Sequence, residues 1–248
     1  MANFTDYSDV LPNPSNSIAY DGSSSSGNAG YAAGPGYASV KVDSKFKTMK
    51  STTNSGQLVS RSKAYQQFEV NIRYNPLTEE EFAPVYGFLL EKQGMLKSFF
   101  VPLPQYDDPQ DSDLVSSSPV PDFQVDNTLG YDAGVTQMLI DASRYNSPTD
   151  GQLRPGDMFT ITDTNDSNHL KAYKITRVET NADYKGSQPA TNELRISFVP
   201  PLQKDVSDNA TINYRNPKIK VIQKSDTLSY NLRNDNLYSF SLNLEEVQ

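Results

Sequence analysis

"LRPGDMFTI", residues 153–161, decides how the middle of the chain is read. Pro155 presets the first central angle of a turn. Gly156 accepts backbone angles closed to residues with a Cβ, and Asp157 carries a carboxylate short enough to take a local amide hydrogen bond. An apolar strand pattern follows at once. A catalytic reading of Asp157 needs a second acid or base, for which Asp141, Asp150 and Asp163 qualify only by closeness in the chain. Turn chemistry accounts for every residue type here without a partner, so the stretch is read as the opening of a small β-barrel.

Outward from this turn, short strand patterns recur: "VTQMLIDA" (135–142), "LKAYKITRVET" (170–180) and "NELRISFVP" (192–200). Turn-rich segments such as "YNSPTDGQLRPG" and "ADYKGSQPATN" separate them. Short strands at this spacing predict a barrel or sandwich. Further out, "YQQFEVNIRYN" (65–75) alternates cleanly. Phe68, Val70, Ile72 and Tyr74 share one face, and Gln67, Glu69, Asn71 and Arg73 the other, the pattern of a half-buried strand. Val40, Val42 and, after a break, Phe46 begin a similar pattern. Near the C-terminus, Leu228, Tyr230 and Leu232 alternate, as do Tyr238, Phe240, Leu242 and Leu244. The turn "RNDN" at 233–236 makes these a hairpin.

Between the two outer sets the period changes. "PLTEEEFAPVYGFLLEKQG" (76–94) has Thr78 and Glu81 at capping-box spacing, acids in its first turn, and Phe82, Val85, Tyr86 and Leu89 at helical spacing. Gly94 is placed to cap the C-terminus, and Pro84 kinks the helix or shifts its start. "MLKSFFVPLP" returns to strand and stops at its prolines.

The fold class predicted is mainly β: a barrel or sandwich with one packed α-helix and an inserted small β-barrel. Residues 36–104 and 217–248 form the main domain, 125–216 the insert, and 105–124 a polar, Pro-broken linker. The Ser/Gly-rich residues 1–35 form a flexible arm, since such a segment buries too little apolar area to offset its ordering entropy.

The 248 residues include 22 Lys and Arg against 30 Asp and Glu, a formal net charge of -8, which disfavours broad DNA binding by a basic face. The absence of cysteine removes disulfides, thiolate nucleophiles and Cys-ligated zinc, and fits assembly in a reducing cytosol. "MANFTDYSDV" has neither the basic start nor the apolar run of a signal peptide. No stretch approaches the about 18 apolar residues of a membrane helix, so no membrane insertion is expected.

The remaining chemistry is sparse. His169 is the lone histidine, read as an exposed loop residue; no nucleophile elbow accompanies it. "DTNDSN" (163–168) spaces Asp163, Asn165 and Ser167 like calcium ligands. Asn168 stands where such a loop needs glycine and Lys174 where it needs a bidentate glutamate, so a hairpin tip is preferred. "DDPQDSD" (107–113) reads as a solvated acidic loop. "GPG" at 34–36 precedes no helix, and no phosphate-binding glycine motif occurs. No catalytic, cofactor-binding or metal-binding residue is assigned, no cofactor is expected, and the chain is not read as an enzyme.

Two segments carry a resemblance. "YNPLTEEEFAPVYGFLLEKQGMLKSFFVPLP" resembles the strand–helix–strand segment of tail-tube-like proteins of tailed bacteriophages. "LRPGDMFTI…AYKITRVET…LRISFVPPLQKDV" resembles the small barrel inserted into some distal-tail and baseplate-hub proteins. Together they cover roughly 65–104 and 130–206. The resemblance implies a structural virion protein, assembled in the host cytoplasm, that forms a hexameric ring where tail tube meets baseplate. Its partners would be further copies of itself and the tube and hub proteins, with viral DNA passing through the lumen without specific binding. A different reading, from Tyr- and Asn-rich loops, is a carbohydrate- or receptor-binding β-module. Under the ring reading the lumen is expected to be acidic or neutral, lined by the polar strand faces at Glu69, Asn71, Ser239, Ser241 and Asn243.

Overall fold

A computed structural model describes residues 9–12, 37–116, 122–142, 151–166, 169–181, 183 and 193–247. In chain order the strands begin with β1 (Tyr37–Thr52), β2 (Leu58–Tyr74), β3 (Phe99–Pro102), β4 (Phe123–Val125), β5 (Gln137–Ala142) and β6 (Met158–Thr162). They continue with β7 (Ala172–Glu179), β8 (Glu193–Val199), β9 (Thr211–Asn213), β10 (Lys218–Gln223), β11 (Tyr230–Leu232) and β12 (Tyr238–Glu246). The helices are α1 (Glu79–Glu91) and the short α2 (Ser112–Ser116). The protein is mainly β, with one small closed barrel and few helical residues. It divides into two compact units, residues 1–45, 67–102 and 219–247, and residues 46–66 and 103–218.

The first unit is built on a sheet of order β1-β2-β12-β10-β3, with β11 also paired to β12. The alternation read in the sequence fixes its faces. Val70, Ile72 and Tyr74 of β2 and Phe240, Leu242 and Leu244 of β12 are buried on one side. The register pairs Ile72 with Leu242 and Val70 with Leu244. Helix α1 covers this side: Phe82 stacks on Tyr238 with ring centroids 4.5 Å apart, and Phe88 meets Phe99 edge-on at 5.4 Å. The Glu81 carboxylate accepts from the Thr78 N–H at 2.8 Å, the return half of the anticipated capping box. The helix starts before Pro84, so the proline lies inside it and does not set its start. Gly94 follows the helix at φ +64, where an added Cβ would meet the Asp226 carboxylate at 2.6 Å.

The two sheet edges differ. On the β3 side, Leu11 N–H donates to Phe100 O at 2.8 Å and Phe100 N–H to Asp9 O at 2.6 Å. Leu11 is buried there and Lys92 bonds Asp9 at 2.7 Å. This corrects the arm reading for residues 9–12; the rest of 1–35 lies outside the described residues. On the other side β1 ends the strand order.

The second unit contains a closed antiparallel barrel of order β4-β5-β8-β7-β6-β9, completed where Gln124 pairs with Thr211. Phe123, Ile140, Phe159, Tyr173, Ile196 and Phe198 fill its interior. Leu114 of α2 joins that core, so the segment read as a linker packs with the barrel. Its polar anchor is Asp111, which accepts from Gln152 N–H at 3.2 Å and from Arg154 Nη2 at 3.0 Å. Strand sequences alone could not signal this, because single side chains such as Leu114 and Asp111, without any period, do the holding.

Candidate functional site

The stretch around Asp157 behaves as a turn. Asp157 is buried. Gln110 donates to its Oδ1 through the backbone N–H at 3.1 Å and through Nε2 at 3.0 Å. Arg154 N–H donates to Oδ2 at 2.8 Å. Gly156 sits at φ +104, and a Cβ there would meet Gln110 Nε2 at 2.9 Å. The carboxylate is thus spent on joining 110 to the turn. Neither candidate acid partner that is described joins it. Asp163 instead accepts from Ser207 N–H at 2.7 Å and Asn165 N–H at 2.8 Å. Burial pushes the Asp163 carboxyl up, and these amides outweigh it and hold the group below the usual carboxylate range. Asp141 is raised by burial and by the charges of Asp126 and Asp208. Asp150 lies outside the described residues.

His169 is buried, which corrects its reading as an exposed loop residue. Its Nε2 lies 2.9 Å from the Tyr173 hydroxyl, and Gln203 N–H donates to the same oxygen at 3.0 Å. Nδ1 is enclosed without a hydrogen-bond partner. Burial pushes the imidazole below its ordinary value; Asp166 and Asp163 oppose that shift and Lys204 adds to it. In the calcium-like loop, Asp163 and Asn165 make the turn just described, while Ser167 and Asn168 lie outside the described residues. In "DDPQDSD", Asp111 serves the Arg154 anchor and Asp108 lies 3.6 Å from Arg215 Nε. Among the described residues, no group of three or more His, Asp or Glu side chains is placed to hold a metal ion. A small pocket lined by Tyr106, Gln110, Asp157 and Tyr214 has a volume of about 200 Å³. That is below the about 300–1,000 Å³ usual for a ligand site.

The larger feature is the sheet face opposite α1. Asn71 pairs with Asn243 and Arg73 with Ser241, and Glu69 pairs with Glu245. The same face continues onto β10, where Ile222 pairs with Glu245. The five residues named for a lumen wall therefore do share one face. Cations join these residues on that face. Glu69 accepts from Lys224 at 2.9 Å and from Lys45, and these two ammonium groups hold its carboxyl below its ordinary value despite burial. Both lysines are remote in sequence and carry no motif, which is why sequence reading missed them.

Comparison with protein-family models and with curated proteins finds no match. Among the described residues no helix is long and apolar enough to cross a membrane.

Proposed function

We propose that the chain is a structural component of a bacteriophage tail, forming a ring, hexameric by the resemblance, at the junction of tail tube and baseplate. The observation that carries this reading is the β1 edge of the first unit's sheet. Among the described residues β1, 16 residues long, has a strand neighbour on one side only, whereas the β3 edge is covered by residues 9–11. A long strand at the end of a sheet is a ready place for another chain to add a strand. Repeating one such contact around a closed rotation gives a ring without leaving an edge free. The β1–β2 hairpin also exposes Phe46, Met49, Leu58 and Val59. Exposed apolar clusters mark surfaces that other proteins cover.

Under this reading the protein's task is assembly rather than catalysis, within the virion. Mass photometry of the protein mixed with the neighbouring tube and hub proteins tests it. Discrete closed oligomers are expected. A subunit that stays monomeric in intact tails contradicts the reading, and a monomer that binds glycan favours the carbohydrate- or receptor-binding alternative.

A further inference from the structure

The open face of the first unit's sheet concentrates positive charge in an acidic protein. Lys45, Arg73, Lys220 and Lys224 lie on it by strand pairing and by their contacts with Glu69. Among the described residues Glu69 and Glu245 oppose them, although the chain as a whole carries a formal charge of -8. Three acids of this unit, Glu79, Glu80 and Glu81, lie instead in the first turn of α1. Glu69 is shared by two lysines, so the pairing leaves a cation over. Arg73 and Lys220 have no ion-pair partner among the described residues.

The rest of the face suits one kind of ligand. Toward one end an open groove is lined by Ser39, Arg73, Ser239, Ser241, Asn231 and Arg233. Hydroxyls, amides and guanidinium groups are the usual donors to phosphate oxygens, and such contacts position a nucleic acid without reading its sequence.

We propose that this face makes weak, sequence-independent contacts with the phosphate backbone of duplex DNA. The choice of duplex DNA among polyanions rests on the tail reading above; the charge and chemistry of the face do not. The net negative charge of the protein does not forbid contact, since salt screens the distant acids beyond about 10 Å at 0.1 M. It keeps the affinity in the range of non-specific binding, about 10⁻⁴–10⁻⁶ M at physiological salt. Weak contact of this kind lets a duplex slide, and replaces the acidic or neutral wall anticipated from bulk charge.

Fluorescence anisotropy of a labelled duplex, titrated with the full chain at several salt concentrations, tests the proposal. About four phosphate contacts per copy predict an affinity loss on the order of 100-fold between 50 and 200 mM salt. The pair Arg73→Ser and Lys220→Ser removes two cations without stranding a partner, and should cut that loss to about tenfold. Lys97→Ser with Lys204→Ser changes net charge equally and should leave the salt dependence unchanged. Absence of salt-dependent binding, or equal loss in both pairs, overturns the proposal. So does salt-sensitive self-association without DNA binding, which assigns the face to a second copy of the chain. Closed oligomers that ignore DNA sink this inference alone, whereas DNA binding by a subunit that stays monomeric in intact tails sinks the ring reading alone.

Discussion

At the residue scale, two buried polar side chains make opposite demands. Asp157 is fully used by Gln110 and Arg154, so Asp157→Ala strands three N–H donors at the start of β6. A loss of about 2–3 kcal/mol is expected by urea unfolding, because each hydrogen bond to a charged group contributes about 1.5–3 kcal/mol and the exposed donors rehydrate. An unchanged unfolding midpoint would show that the turn holds itself without the carboxylate. His169 is held neutral by burial next to Tyr173, with Asp163, Asp166 and Lys204 as the charges that face it. Its folded pKa lies below that of the unfolded chain, so the unfolded state takes up the proton first as pH falls. The stability this provides is complete above about pH 6.5 and is lost progressively as pH drops below that value. His169→Gln should flatten that part of the stability–pH curve. The raised carboxyls of Asp107, Asp126 and Asp141 act in the opposite sense, yet they remain in the variant, so the difference isolates the imidazole. Equal slopes between pH 7.5 and 5.5 would contradict this assignment.

At the scale of elements, the β1–β2 hairpin exposes the apolar side chains of Phe46, Met49, Leu58 and Val59. Phe46→Ser with Met49→Ser should leave the unfolding transition unchanged, since Phe46 is 64% and Met49 57% exposed. The same pair should reduce the yield of closed oligomers several-fold in mass photometry; unchanged assembly would remove the hairpin from the interface. This element also marks how far the sequence could be read. Strands with one buried face announced themselves by period: Phe68 to Tyr74 and Phe240 to Leu244 lie in strands with the faces expected of them. The hairpin's distal part, "KTMKSTTNSGQLVS", is exposed along most of its length and shows no alternation to find. Strands β4 and β9 have three residues each, too few for any period, yet they close the barrel. The site was legible in part. The shared face of Glu69, Asn71, Ser241 and Asn243 followed from alternation, whereas its charge depends on Lys45, Lys220 and Lys224, which only strand pairing brings there.

At the scale of the whole molecule, the division into two units makes its own demand. Residues 103–218 contain six strands that close on themselves and a core that includes Leu114 from the preceding segment. That fragment should unfold cooperatively as an isolated polypeptide, while a fragment cut at 125 lacks Phe123 and Leu114 and should be markedly less stable. Near-equal urea midpoints for the two would contradict the assignment of 103–124 to the barrel. The central claim is that copies of this chain join through the β1 edge into a ring around DNA. Electron microscopy of the protein within assembled tails tests it most directly. The account predicts closed rings, six-fold by the family resemblance, with β1 of one copy at the boundary with the next and the Arg73–Lys220 face toward the channel; a single copy per tail, or a ring with that face turned outward, would contradict it.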